Sequence, residues 1–286
     1  MLLVTGSTGF IGRSLCDALN HHDIPYRAFS GRMNDPAALR ADLDGVDSVI
    51  HLAGAESHDR IRLLQQVDVH GTELLLDECR QIDAKRLIVV SRLNADASSM
   101  YALHRAKGEM ERLVRRGGIP FTIIRSATLF GRDDRFLNTI AALAGWSWPF
   151  VWLPGGGRVA MQPLWVEDLI HCLLLSLERD DLENSTIEVA GEERLRYEEI
   201  VRVTLQAAGI KRRPISPAVK LLRPISALLF GWWLKPPISR FWLDRFSVPE
   251  VAPVDSIYRI FDFRPARLHQ QIAYLRGPGI RGRLFS

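Results

Sequence analysis

Gly6, Gly9 and Gly12 stand at three-residue steps directly behind the apolar run Leu2-Leu3-Val4. The chemistry that such spacing supports is the gripping of a diphosphate. Gly6 turns the chain sharply, Gly9 lets backbone N–H groups come close to phosphate oxygens, and Gly12 lets the new helix pack tightly on the strand. Thr8, Phe10 and Ile11 belong to the same loop and first helical turn, whose free N–H groups and partial positive charge favour an anion. Arg13, the next residue, is, beside Arg32, a second candidate for a ribose 2′-phosphate. A glycine triplet alone marks only a tight turn. Its place after a strand and before a helix makes it a dinucleotide-binding candidate.

The elements that must position this loop follow along the chain. Ile11, Leu15, Cys16 and Leu19 give a helical stripe. Tyr26 to Phe29, Ser48 to Leu52, Arg86 to Ser91 and Phe121 to Arg125 read as strands, with helices over 61–82 and 101–116 between them. Alternating strands and helices predict an α/β fold, a Rossmann-like doubly wound parallel sheet, with a smaller C-terminal α/β region for substrate or docking. The segment before Ser48 is short, so any edge strand there is expected to be rudimentary. The expected division is 1–145 for the dinucleotide-binding domain, 146–210 for an interleaved substrate-side region and 211–286 for a basic, Trp-rich extension. Later elements are a helix beginning at Val166-Glu167-Asp168, a strand at Thr186 to Ala190 and a helix from Tyr197 to Ala208.

In a parallel sheet the ligand lies at the carboxyl ends of the strands. That places Gly6–Gly12, Ser30 and Arg32, Leu52-Ala53-Gly54, Ser91 and Ser126 around one crevice. After the second strand the chain reads Ser30-Gly31-Arg32, with no acid before Asp35. An acid there would bind a ribose 2′-hydroxyl, whereas an Arg meets a 2′-phosphate. The reading leans to NADP(H), with NAD(H) as the alternative.

Cys16, Cys79 and Cys172 are odd in number and each falls in a helical apolar context, so neither a disulfide framework nor a metal site is implied. Met1 leads straight into the first strand, so no targeting segment is expected, and the expected location is cytoplasmic, peripheral on the inner face of a membrane. Charge is lopsided. Residues 1–210 hold 23 Lys and Arg against 29 Asp and Glu, while residues 211–286 hold 14 against 4. A basic block of this kind suits an anionic surface or a membrane protein. No nucleic-acid-binding motif accompanies it, so nucleic acid is not an expected partner. Residues 224–234, flanked by Arg223, Lys235, Arg240 and Arg245 and by Trp232, Trp233 and Trp242, are too short to span a bilayer and have the composition of an interfacial helix or of a lid on a substrate pocket.

Val4 to Gly12, then Asp47-Ser48-Val49-Ile50-His51-Leu52-Ala53-Gly54, then Ile124-Arg125-Ser126-Ala127-Thr128-Leu129-Phe130-Gly131, resemble the extended and atypical short-chain dehydrogenases, a superfamily that includes the NAD-dependent epimerases and dehydratases. Gln162 to Leu169 is similar to the segment leading into that family's C-terminal region. Within the superfamily the resemblance is to the nucleotide-binding accessory subunit of respiratory complex I and its bacterial relatives. It implies a Tyr and a Lys four residues apart on the helix after the fifth strand, the Tyr as acid or base and the Lys holding the nicotinamide ribose. Here Tyr101 is followed four residues later by Arg105, and Lys107 is preceded four residues earlier by Leu103. Both registers stay open. Ser91 is the candidate helper hydroxyl, with Ser98 and Ser99 as a turn before the helix. Two functions follow. One is a nucleotide-holding accessory protein that turns over nothing and docks through 211–286 at a respiratory membrane. The other is an NADP-dependent oxidoreductase or epimerase on an apolar carbonyl or quinone-like substrate, with Trp146, Trp148, Phe150 and Trp152 as pocket wall.

Overall fold

Leu2–Thr5 (β1) pairs in parallel with Tyr26–Ala28 (β2) on one side and with Ser48–His51 (β3) on the other. The computed structural model describes residues 1–58, 60–217 and 240–276. Arg86–Arg92 (β4), Phe121–Ser126 (β5) and Ser185–Val189 (β10) complete a six-stranded sheet in the order β10-β5-β4-β3-β1-β2. Every pairing is parallel. All four residues of β1 and all seven of β4 are buried, as strands covered on both faces must be.

The helices between the strands are Phe10–His21 (α1), Pro36–Leu43 (α2), Ile61–Leu63 (α3), Gly71–Gln81 (α4) and Ala102–Arg116 (α5). The helical period expected over 61–82 is present but interrupted. Leu64–His70 is wound as a π-helix between α3 and α4, which shifts the register of every residue after it. The rudimentary edge strand expected before Ser48 is a correction. That segment forms α2 instead, with Asp35 as N-cap accepting from the N–H groups of Ala37 and Ala38 at 3.1 Å each, and β2 is itself the edge. Proline at the first helical position and Asp before it favour a helix over a strand.

The chain divides into two compact units, Met1–Glu56 with Arg60–Ser126 and Leu169–Val189, and Ser57–Asp59 with Ala127–Asp168 and Ala190–Ser286. Residues 127–145 belong to the second unit, and residues 169–189 return to the first because β10 must pair with β5 to cover its open edge. The core of the first unit joins Leu3, Val49, Leu87, Val89 and Ile123 of the sheet to Leu75, Leu76, Met110 and Val114 of the helices.

In the second unit the described elements include Leu129–Phe130 (β6), Leu137–Trp146 (α6), Phe150–Trp152 (β7), Ala160–Met161 (β8), Leu164–Trp165 (β9), the start of Val166–Glu178 (α7), Leu195–Arg196 (β11), Tyr197–Ala208 (α8) and Arg213–Ile215 (β12). Tyr197 is fully buried among Phe136, Trp242 and Phe246, with ring centroids 6.4, 6.4 and 4.5 Å away. Trp146, Trp148 and Phe150 do not form the apolar pocket wall expected of them. They are exposed: Trp146 ends α6, Trp148 lies in the turn that follows, and strand alternation turns Val151 inward and Phe150 outward, while Trp152 is half-buried against the core. The stretch 224–234, with Trp232, Trp233, Arg223 and Lys235, lies outside the described residues. Among the described residues no helix is long and apolar enough to cross a membrane.

Candidate functional site

All the residues singled out for nucleotide binding and proton chemistry lie in the first unit. Gly6 sits at φ +69°, which favours glycine, and a Cβ on it would lie 2.7 Å from the backbone of Leu52 and Ala53. The ends of β1 and β3 therefore touch at this point. A Cβ on Gly12 would lie 2.2 Å from the carbonyl oxygen of Gly6, so the first turn of α1 presses on the glycine turn. Gly9 differs. It is exposed, and the nearest atom to a Cβ there is 3.2 Å away. Gly9 caps α1 without any side-chain acceptor, so the N–H groups of Phe10, Ile11 and Gly12 begin the helix uncapped. Thr8 is exposed, and Arg13 folds back to donate to its carbonyl oxygen at 2.7 Å. This cradle fits a diphosphate.

Ser30 and Arg32 are exposed at the carboxyl end of β2. The first acid after them, Asp35, is committed to capping α2. Leu52 and Ala53 end β3, their N–H groups reaching the Thr5 hydroxyl at 3.2 and 3.4 Å. Ser126 ends β5, buried, its carbonyl accepting from the N–H of Leu93 at 3.0 Å.

Lys107 is buried on α5, and its Nζ lies 2.8 Å from Oδ1 of Asp68. Asp68 is wholly buried in the π-helical turn. Its Oδ2 accepts from the N–H of Ala55 at 2.9 Å, while Oδ1 has no aligned hydrogen bond in addition to the ion pair. Both charges lie against Gly54, where a Cβ would sit 3.1 Å from Oδ1 and 3.4 Å from Nζ. An ammonium carries three donors, so Lys107 keeps donors that Asp68 does not use and that a ribose hydroxyl would accept.

A hydrogen-bond chain supports this pair from below. His51 Nδ1 is 2.7 Å from the Thr5 hydroxyl, His51 Nε2 is 3.0 Å from the Thr72 hydroxyl, and Thr72 donates to the Asp68 carbonyl oxygen at 2.7 Å. Thr72 has one proton and gives it to Asp68, so His51 Nε2 must donate to Thr72 and Nδ1 must accept from Thr5. His51 is thus neutral. Burial, aided by the Lys107 charge, pushes its pKa down to about 3.

The catalytic candidates on α5 separate by face. Successive helical residues are about 100° apart, so Leu103 lies within about 40° of Lys107 and Tyr101 about 120° from it. Leu103 is buried, 2% exposed. Tyr101 is half-buried at the N-cap of α5, its ring edge-on to His104 at 5.7 Å. Arg105 shares the Tyr101 face, but its Nη1 donates to the Ser99 carbonyl oxygen at 2.9 Å. Ser98 donates to Asp96 through N–H and hydroxyl, each at 2.8 Å, and Ser99 accepts from the Tyr101 N–H at 3.2 Å, which makes this segment a turn.

Ser91, the candidate helper hydroxyl, lies within a buried cluster of charged groups. It is buried and donates to Oε1 of Glu111 at 2.6 Å. Glu111 also accepts from Arg125 at 2.9 and 2.7 Å and from Arg115 at 2.8 Å. Burial pushes the Glu111 carboxyl up, but the hydrogen bonds from Arg125, Ser91 and Arg115 outweigh it and hold the group below the usual range. The next residue, Arg92, pairs with Glu56 at 2.6 Å. Sequence reasoning did not single out Asp68, His51, Thr72, Glu56 or Glu111. The one available signal was an acid at Asp68, four residues after Leu64 on an otherwise apolar stripe, since a buried acid requires a partner.

The family model for the NAD dependent epimerase/dehydratase family matches residues 2–190. The chain is 25% identical to the mitochondrial NADH-ubiquinone oxidoreductase 40 kDa subunit of Neurospora crassa, over 92% of this chain and 75% of the relative. It is 26% identical to the mitochondrial NADH dehydrogenase [ubiquinone] 1 alpha subcomplex subunit 9 of Mus musculus, over 88% of this chain and 73% of the relative. Among solved structures, MoeE5 in complex with UDP-glucose and NAD superposes with a TM-score of 0.75 at 18% identity, covering 96% of each chain. UDP-glucose 4-epimerase of Thermotoga maritima does so with 0.74 at 15%, again over 96% of each. Those structural likenesses show the shared Rossmann-like α/β fold. Together with the glycine cradle and the parallel sheet, the match over residues 2–190 places this chain in the NAD-dependent epimerase/dehydratase family.

Proposed function

We propose that this chain is a nucleotide-holding accessory protein. It binds NAD(P)(H), with NADP(H) preferred, transfers no hydride, and docks through residues 211–286 at a respiratory membrane. One observation carries the reading. The residue one turn before Lys107 is the buried Leu103, and the Lys107 ammonium is paired with Asp68. Leu103 carries no hydroxyl to deliver a proton, which supports a reading without hydride transfer, and the Lys107 ammonium and the N–H groups of the glycine turn support the holding of ribose and diphosphate. Arg32 at the end of β2, with Asp35 turned to capping, supports the preference for a 2′-phosphate. Relatives named as subunits of NADH-ubiquinone oxidoreductase support a membrane complex as partner, as does the excess of 14 Lys and Arg over 4 Asp and Glu in 211–286.

The test is native mass spectrometry of freshly purified protein followed by assay with quinone and carbonyl acceptors. Retained nucleotide without any oxidation of NADPH or NADH is the expected result. Steady turnover with either nucleotide, or a chain that neither retains nor rebinds one, overturns the reading.

A further inference from the structure

We infer that the edge made by β7, β12 and the turn before β7 is a surface that rests on the anionic headgroups of a bilayer. This rests on the docking half of the function proposed above and is independent of its nucleotide half. Among the described residues nine large hydrophobic side chains are exposed, and four of them meet here: Trp146 at 62%, Trp148 at 77%, Phe150 at 41% and Ile215 at 37%. The other five are spread from Met1 to Tyr258, so the edge is a concentration and not the ordinary scatter of surface apolar groups.

The edge is held in shape by the backbone. The N–H of Ser147 donates to the Leu143 carbonyl at 2.9 Å, and that of Phe150 to the Ser147 carbonyl at 2.6 Å. The Ser147 hydroxyl returns to the Phe150 carbonyl at 2.6 Å. Phe150 and Arg213 are register partners in the parallel pair of β7 and β12, and the Arg213 N–H donates to Pro149 at 2.9 Å. Arg212 is tied to the Ala144 carbonyl at 2.6 Å. Two tryptophans and a phenylalanine are thus presented together on a fixed turn, so little ordering cost opposes their burial.

Charge selects the occupant. Lys211 and Arg213 are exposed beside these rings and form no ion pair among the described residues. They belong to a run, residues 200–243, that holds eight Lys and Arg and neither Asp nor Glu. Indole rings seek the boundary between hydrocarbon and headgroups, and lysine and arginine beside them seek lipid phosphate. Glu198 and Glu199 line the neighbouring groove with Arg202, Lys211 and Arg212, but both are engaged with Arg196, so the excess charge beside the Trp rings is positive and complements an anionic lipid plane.

The experiment uses the full chain and sedimentation with sucrose-loaded vesicles of phosphatidylcholine alone or mixed with phosphatidylglycerol. Binding is expected only with phosphatidylglycerol, and it falls as salt rises to about 0.5 M. The pair Trp146→Ser and Trp148→Ser lowers partitioning by about tenfold or more. The pair Lys211→Ser and Arg213→Ser, which leaves the rings untouched, lowers it roughly fivefold per charge and flattens the salt dependence. NADPH binding and the parent's thermal unfolding profile are retained in both, which shows that each variant is folded. If the Trp pair partitions as the parent does, this surface is wrong while docking elsewhere in 211–286 survives. If the parent binds no protein-free vesicle yet still holds NADPH, bilayer docking fails and the nucleotide reading stands. Binding only to native membranes, lost after protease treatment of those membranes, assigns the edge to a protein partner and overturns the inference.

Discussion

Lys107 Nζ and Asp68 Oδ1 approach to 2.8 Å with both groups buried, one on α5 and the other in the π-helical turn between α3 and α4. Removing one member of such a pair leaves an uncompensated charge in a medium that solvates it poorly, whereas replacing both leaves none. Asp68→Ala is expected to destabilise the chain by about 3–5 kcal/mol, and Asp68→Leu with Lys107→Met to cost much less. Urea unfolding of the single and double variants measures this. An additive double variant would show that the two charges do not interact.

The glycine cradle separates folding from binding. At Gly9 an added Cβ would lie 3.2 Å from the Gly6 carbonyl oxygen, a tight contact that a shift of a few tenths of an ångström relieves, so Gly9→Asp should fold, while its carboxylate meets the diphosphate head-on. NADH and NADPH affinities are expected to drop by about a hundredfold with little change in Tm. At Gly12 the added Cβ would meet a carbonyl oxygen at 2.2 Å, so Gly12→Ala should lower Tm as well as affinity. Calorimetric titration and thermal melts on both variants decide it. Unchanged affinity in Gly9→Asp removes the cradle from the site.

Arg32 is exposed and the next acid in sequence, Asp35, is committed to capping α2, so Arg32 should act on the 2′-phosphate alone. Arg32→Ala is expected to weaken NADPH by about tenfold and to leave NADH within about twofold. Equal losses for both nucleotides would place Arg32 elsewhere on the ligand.

Tyr101 stands about 120° around α5 from Lys107, and Arg105, on its own face, is tied to Ser99. Tyr101→Phe is therefore expected to change neither nucleotide affinity nor the absence of turnover. If any acceptor does support turnover and Tyr101→Phe abolishes it, the chain is an oxidoreductase that uses Tyr101.

His51 supplies a pH dependence with a definite sign. Its folded pKa is pushed to about 3, below the 6.5 of a free imidazole. Between those values the unfolded chain takes up a proton that the folded chain refuses, so this group's contribution to stability falls as pH falls, by about 1.4 kcal/mol per unit. Above the upper value it contributes no slope. His51→Gln should be less stable at neutral pH, because the bonds to Thr5 and Thr72 are disturbed, yet should show a flatter profile in mild acid. Parallel profiles for the two proteins would mean that His51 is charged in the fold.

Much of the architecture is local in origin and was readable from the residues. The turn at Gly6 to Gly12 needs only small residues at fixed steps, and α5 and α8 follow from helical spacing within their own spans, so strand, turn and helix appear where the chain dictates them. That Leu103 stands four residues before Lys107 was also visible, because four-residue spacing belongs to the helix itself. What tertiary structure decided are the partnerships between segments far apart in sequence. The π-helical turn places Asp68 opposite Lys107, Glu111 draws in the Ser91 hydroxyl, and β10 returns to pair with β5. The exposure of Trp148 is of the same kind. Each depends on which distant atoms remove a group from water or leave it there, and burial is a property of the assembled fold that no local period encodes.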